Sequence, residues 1–201
     1  MSFFNIQALE YLDYGPINLQ LEESEIIGLN GASGSGKSRL LRSLADLDEH
    51  TGSVNLNSIE QHSIKAHAWR AQVALLSAET YWWLDTVEEH FKVFPIEQAK
   101  ALGFKNDVST WQVSRLSSGE KQRLGLLRLL ENNPDVLLLD EPTANLDPQS
   151  VHLFESFVMN YIDTRSACAI WVSHDVEQLK RISQRQYKIQ NGMLHSEGKG
   201  I

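Results

Sequence analysis

Eight consecutive residues, Gly31-Ala32-Ser33-Gly34-Ser35-Gly36-Lys37-Ser38, limit what this chain can become more than any others. They fit the pattern G-x-x-x-x-G-K-[ST]. Their flanks matter as much as the string. Glu25 to Leu29 reads as a buried strand, and after the loop Leu40, Leu41, Leu44, Ala45 and Leu47 recur at helical spacing. A strand, a glycine-rich turn and a helix, in that order, aim backbone N–H groups and the positive end of a helix at one point. Glycines let the chain turn tightly and let a phosphate approach the backbone. Lys37 then reaches the β- and γ-phosphates of a nucleotide, and Ser38 offers a hydroxyl to Mg²⁺. Gly31, Ser33, Gly34, Ser35, Gly36, Lys37, Ser38 and Arg39 are the candidate nucleotide contacts. A flexible Gly/Ser linker would not lie between a buried strand and an amphipathic helix. Taken alone, the loop leaves kinases, GTPases and many ATPases open.

A second segment adds carboxylates. Val136 to Leu139 reads as a core strand that ends in Asp140 and Glu141. Open α/β sheets bind ligands at the C-terminal ends of their strands. Asp140 is the candidate Mg²⁺ ligand, acting with Ser38 and the ion's water shell. Glu141 is the candidate general base that polarises an attacking water.

The remaining pattern indicates α/β architecture. Residues 6–14 and 17–22 read as strands with Gly15-Pro16 between them, and Gly52–Leu56, Val73–Leu76 and 167–172 read as further strands. Helices are expected over about 117–131, over about 148–162, and briefly after Asp175. Apolar strands alternating with amphipathic helices imply a mostly parallel sheet covered on both faces. Residues 80–115 change character, with aromatics followed by helix-like stretches broken near Pro95 and Gly103. We expect an inserted, mostly helical subdomain there.

Composition narrows the function classes. The net charge of −8 gives no basic footprint for non-specific nucleic-acid binding, so no nucleic-acid partner is expected. The single cysteine, Cys168, excludes a disulfide within the chain, suggests a reducing compartment, and reads as a small core residue. The longest hydrophobic run, Ala167 to Val172, has six residues, whereas a membrane span needs about 20. The first cation is Lys37, so a basic export signal is not expected. If the protein serves a membrane, it does so through a partner.

Further motifs carry a resemblance. Leu116-Ser117-Ser118-Gly119-Glu120, followed by Lys121-Gln122-Arg123, resembles the L-S-G-G-Q signature of the ATP-binding cassette (ABC) ATPases, with Ser118 and Glu120 as departures. Asp140-Glu141-Pro142-Thr143-Ala144-Asn145-Leu146-Asp147 resembles that family's acidic strand end and D-loop. Trp171-Val172-Ser173-His174-Asp175 resembles its switch-histidine strand, and Gln190-Asn191-Gly192-Met193-Leu194 its closing hairpin. The order fits over essentially the whole chain.

The resemblance implies a single domain over 1–201 with a P-loop NTPase (RecA-like) core of mostly parallel sheet, about 1–79 and 117–201, an N-terminal antiparallel portion, and a small helical subdomain over about 80–116. It implies the nucleotide-binding subunit of an ABC transporter, with ATP and Mg²⁺ as cofactors and an integral-membrane subunit as partner. Such a subunit sits in the cytoplasm at the inner face of the membrane. Two copies would face each other head to tail, each ATP lying on one phosphate loop and capped by Ser117 and Gly119 of the other copy. Asp147 would communicate across the pair. Lys37, Glu141 and His174 would be catalytic, His174 at the γ-phosphate. The chain would be a minimal cassette.

The departures define open questions. Ala78 stands where the family places a metal-binding glutamine, and Glu79 beside it is a candidate to take over with Ser38 and Asp140. Tyr81-Trp82-Trp83-Leu84 is either subdomain core or an exposed patch for the membrane partner. Tyr11 and Tyr14 are candidates to stack on adenine, or are sheet-packing tyrosines. His50, His62, His67, His90, His152 and His195 show no zinc-type spacing. Competing readings are an ABC ATPase of DNA maintenance or translation, and a small-molecule kinase. The first usually carries long coiled-coil insertions or paired cassettes, and the second leaves the signature unexplained.

Overall fold

Uninterrupted apolar runs become the central strands of this fold, because they are covered on both faces. The computed structural model describes residues 3–105 and 107–197. Strands β3 (Ile26–Gly31), β6 (Val73–Leu76), β7 (Val136–Asp140), β8 (Cys168–Val172), β9 (Arg185–Gln190) and β10 (Met193–Glu197) form one sheet in the order β10-β9-β3-β8-β7-β6. All its pairings are parallel except β9–β10, a hairpin. A second, antiparallel sheet has the order β2-β1-β4-β5. Its strands are β1 (Phe4–Tyr11), β2 (Tyr14–Leu21), β4 (Thr51–Leu56) and β5 (Ile59–Glu60). The helices are α1 (Lys37–Leu44), α2 (Ala66–Gln72), α3 (Ile96–Ala101), α4 (Ser118–Leu130), α5 (Pro148–Arg165) and α6 (Val176–Ile182).

Side chains alternate across the parallel sheet with the period of two that extended chain requires. Val136 and Leu138 of β7 join a core shared with the antiparallel sheet and α1. Leu137 and Leu139 join the opposite core, under α4, α5 and α6. On β8, Cys168, Ile170 and Val172 face the first core, and Ala169 and Trp171 face the second. Burial pushes the Cys168 thiol well above its ordinary range, so it stays protonated and inert.

In the second core, Phe154 of α5 meets Trp171 edge-on, with ring centroids 5.8 Å apart. Both rings are fully buried. Phe154→Ala should therefore cost about 3–5 kcal/mol, a large part of the roughly 5–15 kcal/mol that holds an ordinary domain together. Urea denaturation checks this, and a loss under about 1 kcal/mol would mean that the core around Trp171 collapses to fill the gap.

Three expectations need correction. The segment 80–116 is mostly irregular rather than mostly helical. It holds α3, six residues long, and three single turns of 3₁₀-helix at Glu88–His90, Val108–Thr110 and Val113–Arg115. Pro95 lies immediately before α3, and Gly103, at φ 83°, follows its C-cap Leu102, so a longer helix has no room. Val87, Phe91, Leu102, Phe104, Val108 and Val113 hold the segment by joining the second core, the one that also contains Leu137, Phe154 and Trp171. The first strand ends at Tyr11 rather than 14, because Leu12 adopts φ 52° and turns the chain. Helix α5 continues to Arg165, ending where Ser166 turns left-handed at φ 53°.

Candidate active site

The ends of β3, β7 and β8 bring the sequence candidates together. A cleft of about 260 Å³ is lined by Leu12, Tyr14, residues 33–39, Asp140, Glu141 and His174. Its floor is the phosphate loop. β3 ends at Gly31, and the Ser35 N–H donates to the Ala32 carbonyl at 3.1 Å to close the turn. Gly36 caps α1 with φ 96°, and a Cβ there would lie 2.7 Å from the Tyr14 ring. No side chain caps α1 and no acid occupies its first turn. Its leading N–H groups therefore remain free for an anion. The Ser35 hydroxyl is buried without a hydrogen-bond partner.

Lys37 is buried, and its ammonium donates to the carbonyls of Gly31 (2.8 Å) and Ala32 (3.0 Å). Burial lowers its pKa, while Glu141 and Asp140 oppose that shift. These contacts hold the cation over the loop.

The carboxylates approach from β7. Asp140 is buried at the strand end. Glu141 sits at φ 48°, an uncommon conformation for a residue with a side chain, fixed by its N–H donating to Val172 O of β8 at 3.1 Å. Its Oε2 accepts from the His174 backbone N–H at 3.4 Å. Its Oε1 lies 3.2 Å from His174 Nε2, but the groups are misaligned for a hydrogen bond, and Oε1 is left without a partner. Burial raises the Glu141 pKa, countered in order by His174 and Lys37. A desolvated carboxylate with a bare oxygen suits proton acceptance. The orphaned Ser35 hydroxyl, the free helix N-terminus, Lys37 and the Ser38/Asp140 pair fit a magnesium nucleoside triphosphate.

Ser117, Gly119 and Asp147 do not line this cleft. Ser117 caps α4 within a capping box. Its hydroxyl oxygen accepts from Glu120 N–H (3.2 Å), and its own N–H donates to Glu120 Oε2 (2.8 Å). The departure at Glu120 therefore has a local role. A Cβ on Gly119 would meet the Asn145 carbonyl at 2.7 Å, so the signature packs on the turn leading to Asp147. Asp147 caps α5 by accepting from Ser150 N–H at 3.0 Å. Ser117 and Ser118 are exposed.

Glu79 also stands apart. It lines a neighbouring cleft with Leu75, Thr80, Tyr81, Trp83 and Arg128, and it is not among the residues that line the cleft of Ser38 and Asp140. Tyr81 (76% exposed) and Trp83 (69%) are not core, whereas Trp82 is half-buried. The Arg128 guanidinium stacks on the rings of Trp82 (4.5 Å) and Trp83 (4.9 Å), and His90 Nε2 accepts the backbone N–H groups of Trp83 and Leu84.

Tyr11 is 2% exposed and belongs to the core, so it cannot stack on a ligand. Tyr14 lies against the loop, and Leu12, 62% exposed, stands at the cleft mouth. Sequence reasoning missed Leu12. An apolar residue at a hairpin tip, two residues ahead of Tyr14, was the available signal.

Comparison with known proteins agrees with this geometry. The family described as "ABC transporter" matches residues 14–144. The chain is 35% identical over 180 residues to Protein STAR1 of Oryza sativa subsp. japonica, covering 83% of this chain and 52% of that protein. It is 31% identical over 201 residues to Methionine import ATP-binding protein MetN 2 of Listeria innocua, covering 90% and 59%. It thus spans about half to three fifths of the length of these relatives. Its fold matches a dimeric, post-hydrolysis ATP-binding cassette, MJ0796, bound to ADP and Pi, with TM-score 0.83, 20% identity and 98% of each chain covered. The chain belongs to the ABC transporter family.

Proposed function

We propose that this chain is an ATP-hydrolysing subunit of an ABC transporter, working as a pair of cassettes on a separate membrane subunit. One observation carries the reading: Glu141, with its unpartnered Oε1, stands beside His174 at the rim of a phosphate loop that holds Lys37 in place. The loop N–H groups and Lys37 bind the phosphates. Ser38 and Asp140 would hold Mg²⁺, which supplies charge neutralisation at the β- and γ-phosphates. Glu141 takes a proton from the attacking water, and His174 keeps that carboxylate oriented and meets the terminal phosphate.

Ser117, Gly119 and Asp147 reach a nucleotide only if a second copy presents them, since they lie outside their own chain's cleft. The dimeric cassette with the same fold supports this arrangement. Among the described residues no helix is long and apolar enough to cross a membrane. The face bearing exposed Tyr81 and Trp83, with Glu79 and Arg128, is the surface we assign to the membrane subunit. Placed there, Glu79 serves the partner contact rather than the metal.

Dilution tests the reading. With Mg²⁺ and saturating ATP, turnover per chain should fall as the protein is diluted below its dimerisation constant, because each complete site needs two chains. A constant turnover per chain from a species that sediments as a monomer would remove the paired site from the mechanism.

A further inference from the structure

A buried polar cluster lies behind the two catalytic turns, and the mechanism above makes no use of it. Gln178 of α6 is 2% exposed, Glu155 of α5 is 2% exposed, and Thr143, in the turn after Glu141, is also buried. Gln178 Nε2 donates to Glu155 Oε1 (2.8 Å) and to Thr143 Oγ1 (2.9 Å), and Thr143 Oγ1 lies 3.2 Å from Gln178 Oε1. Glu155 does not need the amide to compensate its charge. Arg181 already grips it through Nε (2.9 Å) and a terminal nitrogen (2.7 Å). What the amide adds is a fixed link to Thr143.

That link joins two turns. Thr143 lies two residues after Glu141, and its carbonyl accepts from Leu146 N–H at 3.1 Å. Gln178 lies four residues after His174, and its N–H donates to Asp175 Oδ1, the cap of α6, at 3.0 Å. The same turn meets the signature helix where Asn145 O lies against Gly119. We infer that Gln178 and Thr143 are positioning residues. By clamping the Glu141 turn to the start of α6, they set the spacing between Glu141 and His174. The inference rests on the catalytic roles given to those two residues above. Neither Thr143 nor Gln178 lines the nucleotide cleft, so they act through the residues they hold.

Thr143→Val keeps the shape and removes the hydroxyl, leaving Glu155 on Arg181. Steady-state ATP hydrolysis by the full chain should show kcat lowered about fivefold, the effect of roughly one net hydrogen bond. KM for ATP should not change. Thr143→Ser should restore kcat. In a His174→Ala background Thr143→Val should cause no further loss, because the spacing it sets no longer matters. Gln178→Met, which also spares the Glu155–Arg181 pair, should behave alike and carries the comparison if the valine variant does not fold. Unchanged kcat in folded variants, a KM that rises in step, or an undiminished loss in the His174→Ala background would overturn the inference while leaving the ATPase reading intact. Absence of turnover in the wild-type protein would overturn both.

Discussion

ATP turnover should fall by about a hundredfold to ten-thousandfold when Glu141 becomes glutamine, the range associated with losing a general base. The amide occupies the same volume but cannot accept a proton from water. The phosphate loop, Lys37 and Ser38 are untouched, so nucleotide binding should persist. The variant should also be at least as stable as the wild type near pH 7. The folded carboxyl titrates above its ordinary value because it is buried, so the charged form is the one the fold disfavours as pH rises through that value. A neutral amide removes this cost. For the same reason, wild-type turnover should decline on the acid side at a pH above the ordinary glutamate value, as Glu141 takes up its proton. A glutamine variant that turns over within a few-fold of wild type would strip Glu141 of this role.

Gly36→Ala should weaken ATP binding by about ten- to a hundredfold. Two effects add. The residue sits at φ 96°, where a Cβ costs about 1–3 kcal/mol, and every 1.4 kcal/mol is tenfold in affinity. The new methyl would also lie 2.7 and 2.9 Å from Tyr14 ring carbons and 3.2 Å from the Tyr11 hydroxyl. Neither ring can yield. Tyr11 is in the core, and the other edge of Tyr14 is already so close to Gly192 that a Cβ there would be 2.6 Å away. The loop must move, and its N–H groups cease to converge. Gly34→Ala is the matched control. It has φ 77°, but its methyl would meet nothing within 4 Å, so its effect should be clearly smaller. Calorimetric titration of ATP into both proteins decides the matter, and equal affinities would show that the Tyr14 wall does not shape the loop.

The readable parts of this chain were those where burial dictates composition. β3, β7 and β8 are covered on both faces, so β7 and β8 appear as unbroken apolar runs and β3 as one interrupted only by Gly28 and Asn30, and the loop and carboxylates at their ends could be placed by chain order alone. The segment 80–116 was less readable. It joins the second core through scattered residues such as Val87, Phe104 and Val113, with no period to reveal them. Glu79 lines a different cleft from Ser38 and Asp140, and adjacency in sequence does not fix which side of a turn a side chain faces. The stacking of Arg128 on Trp82 and Trp83 joins residues more than forty apart, and so does not show in local pattern. One signal was present and went unused. Ser117-x-x-Glu120 is a capping box, which accounts for glutamate at the last signature position.

Ser117 and Gly119 do not line the cleft of their own phosphate loop, so the mechanism stands only if two chains meet around ATP. The mass of the Glu141→Gln protein in solution, measured by light scattering with saturating Mg²⁺-ATP, tests this most directly. The expected mass is twice the 22.8 kDa of one chain, returning to a single chain when nucleotide is removed. A protein that binds ATP to saturation yet stays at 22.8 kDa would contradict the account.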